Sequence, residues 1–149
     1  MRTQAVHQQY LATQVNTADR LQLVVMLYEG AIGFLQQAKA CLAAKDASGK
    51  GRYLGKALDI IAELSASLNF AEGGEVAANL FRLYSFLTRH LTQANLTGDA
   101  RAVDEVIEML ASLKECWESI CQKARKGGLE GRVEGSPPAA APSLGSLVV

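Results

Sequence analysis

Proline is missing from the first 136 residues: the three prolines of this 149-residue chain, Pro137, Pro138 and Pro142, all lie close to its C-terminus. Nothing before them is barred from a helix by a fixed φ or a lost N–H. Histidine is scarce too. His7 and His90 are the only two, which leaves few candidates for a metal centre or an acid–base site. Three cysteines, Cys41, Cys116 and Cys121, are too few and odd in number for a secreted disulfide scaffold; they read as reduced cytosolic thiols. Charge of one sign is also lacking, since 15 Lys and Arg balance 15 Asp and Glu. That balance excludes the basic surplus from which nucleic-acid binding draws its affinity. No apolar run approaches the roughly 20 residues of a membrane helix, and the opening MRTQAVHQQYLATQ is too polar for a signal peptide. These absences point to a cytoplasmic protein that neither binds nucleic acid nor inserts into a membrane.

What is present is an apolar, helix-compatible sequence. Hydrophobic residues make up 49% and charged residues 20%, the balance of a folded domain, and the length suits one domain. The composition changes near Lys126. From Gly127 the chain runs GGLEGRVEGSPPAAAPSLGSLVV, with five of the thirteen glycines and every proline. This stretch has too little apolar mass to fold alone, and 127–149 is expected to be a flexible tail.

Upstream, helix punctuation falls at four places. Asn16-Thr17 offers a cap, Asp46 to Gly51 reads as a loop, and Glu72-Gly73-Gly74 as a tight turn. At Thr97-Gly98-Asp99, Gly98 is a stop and Asp99 the next cap. Between these marks the apolar residues recur with a helical period over about 18–45, 52–71, 75–97 and 100–125. Leu21, Val25, Tyr28, Ile32, Leu35 and Leu42 share a face in the first segment. Leu54, Leu58, Ile61, Leu64 and Leu68 do so in the second, and Val76, Leu80, Leu83, Leu87, Leu91 and Ala94 in the third. In the fourth the face is Val103, Val106, Leu110, Leu113, Trp117 and Ile120. Short connections make neighbours antiparallel, so the expected fold is all-α: an up-down-up-down four-helix bundle over 17–126, preceded by a short cap segment at 1–16.

The first long helix carries more apolar surface than a bundle core can use. From Leu21 to Leu42 it has fifteen apolar residues, twelve of them larger than alanine, where about nine would suffice for one buried face. A second stripe, Leu23, Leu27, Ala31, Phe34 and Ala38, runs beside the first, and Phe81 and Phe86 stand outside the main stripe of the third helix. Either the first helix is central, with several neighbours, or the bundle keeps an apolar groove for a foreign segment. Val6 and Tyr10 of the N-terminal segment are placed to lie across such a groove while it is empty.

Catalytic and metal-binding patterns are missing. Glu-x-x-His pairs, a G-x-S-x-G elbow and a P-loop do not occur. Cys116 and Cys121, if helical, would point about 140° apart. His90 is followed by Leu91-Thr92-Gln93-Ala94, without the Lys and Gly that follow the histidine of phosphotransfer bundles, and reads as a surface histidine. Asp104, Glu105 and Glu108, with Lys114 and Glu115, read as a solvated face. No enzymatic activity, cofactor or metal is expected.

The sequence resembles the flagellin export chaperone family, FliS. The resemblance runs from Tyr10 through Gln14-Val15-Asn16-Thr17-Ala18 and Leu23-Val24-Val25-Met26-Leu27-Tyr28-Glu29-Gly30-Ala31. It continues through Leu68-Asn69, Gly73-Gly74-Glu75-Val76-Ala77-Ala78-Asn79-Leu80, Leu83-Tyr84-Ser85-Phe86-Leu87, Leu91, Gln93-Ala94-Asn95, Asp99 and Trp117. It covers about 10–122. The family departs from this chain at His7, where a second aromatic is common, and at Arg20, where proline is common.

The resemblance implies an antiparallel helical bundle with an N-terminal cap. It also implies a cytoplasmic chaperone that binds the disordered C-terminal region of flagellin, blocks premature polymerisation and delivers it to the flagellar type III export gate. By the same resemblance Tyr10 and Val15 line the cap and groove mouth, while Leu68, Asn69, Asn79, Leu83 and Tyr84 line the client surface. The alternatives are an adaptor binding a regulator of flagellar gene expression, and a phosphotransfer bundle using His90.

Overall fold

The computed structural model describes residues 17–130, all within or between four helices: α1 (Thr17–Ala43), α2 (Ala47–Ala66), α3 (Phe70–Thr97) and α4 (Ala100–Glu130). The expected all-α, four-helix architecture is what the chain adopts. α1 packs against α2 and α4, and α3 against the same two, so the helices form a four-sided bundle with α1 and α3 on one diagonal. No Cα of α1 lies within 8 Å of one in α3. Residues 1–16, with the expected cap segment, and 131–149, with most of the expected tail, lie outside the described residues. Among the described residues no helix is long and apolar enough to cross a membrane.

The core is a single cluster. Leu21, Val25, Tyr28 and Leu35 of α1 meet Leu54, Ile61 and Leu64 of α2, Leu87 and Leu91 of α3, and Val103, Val106, Leu110 and Trp117 of α4. The α1–α2 contact is close because glycine sits in it on both sides. A β-carbon on Gly30 would stand 3.3 Å from Ile60 Cδ1, and one on Gly49 would stand 2.7 Å from Cys41 Sγ. Polar ties stitch the other seams. Lys39 of α1 pairs with Asp104 of α4, His90 of α3 meets Glu105 of α4 at 2.9 Å, and Lys50 of α2 donates to the Asn95 carbonyl of α3 at 2.9 Å. The expected solvated face of α4 is thus partly an interhelical seam.

Helix boundaries depart from the sequence expectation in four ways. The expected loop at 46–51 is a helix start: Asp46 caps α2, its Oδ1 accepting from Gly49 N at 3.0 Å, and glycine is used there because the Asp46 carboxylate and the Cys41 sulfur fill the space of a side chain. α2 ends at Ala66, not near 71. Ser67 bonds back to the Glu63 carbonyl through its N–H and to the Leu64 carbonyl through its Oγ, and Asn69 then caps α3.

The third departure concerns the expected turn at 72–74, which lies inside α3. There Gly74 alone leaves helical geometry, with φ 54° and ψ −127°, a conformation closed to residues with a β-carbon. The fourth is that α4 runs on through Gly127 to Glu130, into the stretch assigned to the tail. The Gly98 stop and Asp99 cap form as expected: Gly98 has φ 70°, and Asp99 Oδ1 accepts from Arg101 N at 3.0 Å.

Candidate functional site

α3 is where the expected core face and the observed one part. Its buried line is Ala77, Tyr84, Leu87, Leu91 and Ala94, whereas Val76 is exposed and Leu80 and Leu83 are only partly buried. The line turns because Tyr84 points inward. Its hydroxyl lies 2.5 Å from that of Tyr28, and Trp117 Nε1–H donates to the Tyr28 hydroxyl at 3.2 Å. All three rings are buried. They join α1, α3 and α4 across the diagonal that the backbones do not close. Burial raises the pKa of both phenols. For Tyr28 the hydrogen bonds from Tyr84 and Trp117 partly offset that rise. For Tyr84 the nearby Tyr28 phenol adds to it. Three donor hydrogens share two contacts here, so one hydroxyl proton is left without an acceptor within the trio.

Beside Tyr84, between α2 and α3, lies an open groove of about 680 Å³. Its α2 wall is Ile61, Ala62, Ser65 and Ala66, and its α3 wall is Phe70, Phe81, Tyr84, Ser85, Thr88 and Arg89. The groove exists because α2 turns small side chains toward α3; Ala62, Ser65 and Ala66 cannot bridge the gap. Phe70 and Phe81 meet edge to face, ring centroids 5.8 Å apart, yet stay 50% and 47% exposed. The Gly74 bend falls between them in sequence, on the segment that carries Phe70 to Phe81. Apart from Arg89 the walls are uncharged, so the groove suits an apolar segment; Ser85 and Thr88 donate their hydroxyl protons to the Phe81 and Tyr84 carbonyls and offer a client only acceptor oxygens.

The other flank of α3 faces α4 and carries Asn79, Leu83, Phe86 and His90 at helical spacing. Phe86 stacks on His90 at 5.2 Å and remains exposed, as does Met109 of α4. The first helix also keeps apolar surface in the open, with Leu23 57% and Met26 55% exposed. Of its second stripe, Ala31 and Ala38 are buried and Leu27 and Phe34 half-buried.

Of the residues the resemblance assigned to a client, Tyr84 alone among the described ones lines the groove. Leu68 is buried beneath the α2–α3 turn. Asn69 spends its side chain capping α3, accepting from Glu72 N at 3.1 Å. Asn79 is exposed, its Oδ1 taking a bond from Arg82 Nη1 at 2.8 Å, and with Leu83 it sits on the α4-facing flank. Tyr10 and Val15 lie outside the described residues. Sequence reasoning missed Phe70, Ala62, Ser65, Ala66 and Arg89. Phe81 had a signal, as an apolar residue off the main stripe; the small α2 residues signal a gap only once their neighbour is known. His90 is held between the Phe86 ring and the Glu105 carboxylate, and a phosphoryl group on Nε2 would meet that negative charge.

The family described as flagellar protein FliS matches residues 2–124. The chain belongs to the FliS family. The flagellar secretion chaperone FliS of Vibrio cholerae is 41% identical over 108 residues, which is 72% of this chain and 79% of the relative. That of Salmonella typhimurium is 42% identical over 111 residues, covering 74% and 82%. The Bacillus subtilis chaperone of the same name is 32% identical over 117 residues, covering 78% and 86%. In this FliS-family chain the match spans all but the end of the described bundle, and the groove walls fall wholly inside it.

Proposed function

We propose that this chain is a cytoplasmic export chaperone that binds the disordered C-terminal region of flagellin, keeps it from polymerising, and delivers it to the flagellar type III export gate without catalysing a reaction. The observation that carries this reading is the open α2–α3 groove, with Phe70 and Phe81 exposed over a floor of Tyr84 and Ile61. An amphipathic client helix can bury its apolar stripe there against aromatic rings, the residue class that dominates binding hot spots. The relatives' shared name, flagellar secretion chaperone, supports the client class.

Isothermal calorimetry with a peptide from the C-terminal region of the flagellin of the same cell tests it. A segment that folds as it binds gives favourable enthalpy, unfavourable entropy and a negative heat-capacity change. That signature, with a dissociation constant in the micromolar range or tighter, is the expected result. Absence of binding at roughly tens of micromolar, a free energy near −6 kcal/mol, removes the proposal. A regulator competing with that peptide for the groove would add the adaptor role.

A further inference from the structure

The α3 helix is the loosely held wall of the groove. It touches α2 and α4 over fewer residues than α1 does, and its backbone has no approach to α1. Beside the apolar core contacts, a side-chain hydrogen bond spans that diagonal, the Tyr28–Tyr84 hydroxyl pair, with Trp117 bonded to the same Tyr28 oxygen. Tyr84 in turn is part of the groove wall, between Phe81 and Ser85. We infer that Tyr28, which lines no part of the groove, is a positioning residue for it: the hydroxyl pair is a strut that fixes the setting of α3, and Trp117 senses the strut. The inference rests on the chaperone reading for its consequence but not for its geometry.

The physics is a population argument. With the strut in place Tyr84 has one orientation and the groove one width. Replacing Tyr28 by phenylalanine removes the oxygen to which both the Trp117 N–H and the Tyr84 hydroxyl are bonded, and with it the hydrogen-bonded tie between α1 and α3. The Tyr84 ring is then free to settle elsewhere, and only a fraction of molecules hold the groove ready, which weakens the apparent affinity by that fraction. Because Trp117 is the sole tryptophan and is itself bonded to Tyr28, its emission reports the strut without a label.

The test uses the full chain and the variants Tyr28→Phe and Leu110→Ala. Leu110 is fully buried on α4 and lines no part of the groove, so it is a purely structural control. Without client, amide hydrogen exchange in Tyr28→Phe is expected to quicken in α3, between Ala77 and Leu91, more than in α1 and α4; Leu110→Ala should quicken all four helices. With the flagellin peptide, wild type is expected to shift its Trp117 emission on binding. Tyr28→Phe should bind about 5- to 10-fold more weakly and lose that shift, while Leu110→Ala, below its melting temperature, keeps both. Uniform exchange acceleration in Tyr28→Phe overturns the strut. So does Tyr28→Phe binding within about twofold of wild type with the emission shift intact. If wild type binds no peptide, the chaperone reading fails, and the exchange pattern still decides the strut.

Discussion

Tyr28 and Tyr84 show how a residue's role can be half visible in the sequence. Tyr28 falls on the apolar stripe of α1 and was expected in the core; Tyr84 was expected on the client surface, and the structure makes it both core and groove wall. Periodicity cannot see that two stripes meet at their hydroxyls, because that depends on a diagonal distance between helices. Both phenols are neutral in the fold and have pKa values raised by burial, whereas in the unfolded chain they titrate near 10. The native state therefore holds its phenolic protons more tightly than the unfolded one. The stability this supplies is complete below about pH 10 and is lost as pH climbs from there toward the folded values. Each tyrosine should lower stability by about 1.4 kcal/mol per pH unit in that window. Urea midpoints measured from pH 9 upward should fall more steeply for wild type than for Tyr28→Phe or Tyr84→Phe, and the phenolate absorbance of the pair should rise only as helical circular dichroism disappears.

Elements were legible wherever local chemistry decides them. The Gly98 stop and Asp99 cap need only the left-handed conformation of a glycine and a side chain that accepts from backbone N–H groups, and both formed as expected. The start of α2 was not legible. Gly49 and Gly51 look like loop residues, and Gly49 is a helix residue whose missing side chain leaves room for the capping Asp46 carboxylate and for the sulfur of Cys41 on α1. The turn between α2 and α3 was misplaced because Gly73-Gly74 is the louder signal, while the real work of starting α3 falls to Asn69, a residue assigned to the client. Its cap role gives a clean expectation. Asn69→Ala should cost about 1 kcal/mol, read as a lower urea midpoint. Asn69→Asp keeps an acceptor for the Glu72 N–H and adds a negative charge at a helix N-terminus, so it should match or exceed wild type. If Asn69 also touched the client, Asn69→Asp would keep stability and lose binding, so calorimetry on that one variant separates the two roles.

At the scale of the whole molecule, the excess apolar surface counted in the sequence is divided between two uses. α1 takes much of its share inside, since α2 and α4 pack more closely on it than on α3, yet Leu23 and Met26 remain outside. On α3 the extra phenylalanines sit on the two flanks, Phe81 in the groove shared with α2 and Phe86 stacked on His90, which bonds Glu105 of α4. The count could say that surface was left over; it could not say where, because the gap is set by Ala62, Ser65 and Ala66 on a different helix. This division separates stability from binding among apolar residues of similar bulk. Leu35 is fully buried on α1 and away from the groove, so Leu35→Ala should cost about 2–5 kcal/mol while leaving peptide affinity unchanged in the folded protein. Phe81 is half exposed and meets Phe70 edge to face, so Phe81→Ala should cost only about 1 kcal/mol, the worth of an aromatic pair. Its effect on the client should be the larger one, a loss of at least about tenfold in affinity, as for an aromatic anchor at an interface. Urea denaturation and calorimetry on the same two preparations give both numbers. Equal losses of stability and affinity in Phe81→Ala would mean that Phe81 supports the bundle, and that the client lies along another face.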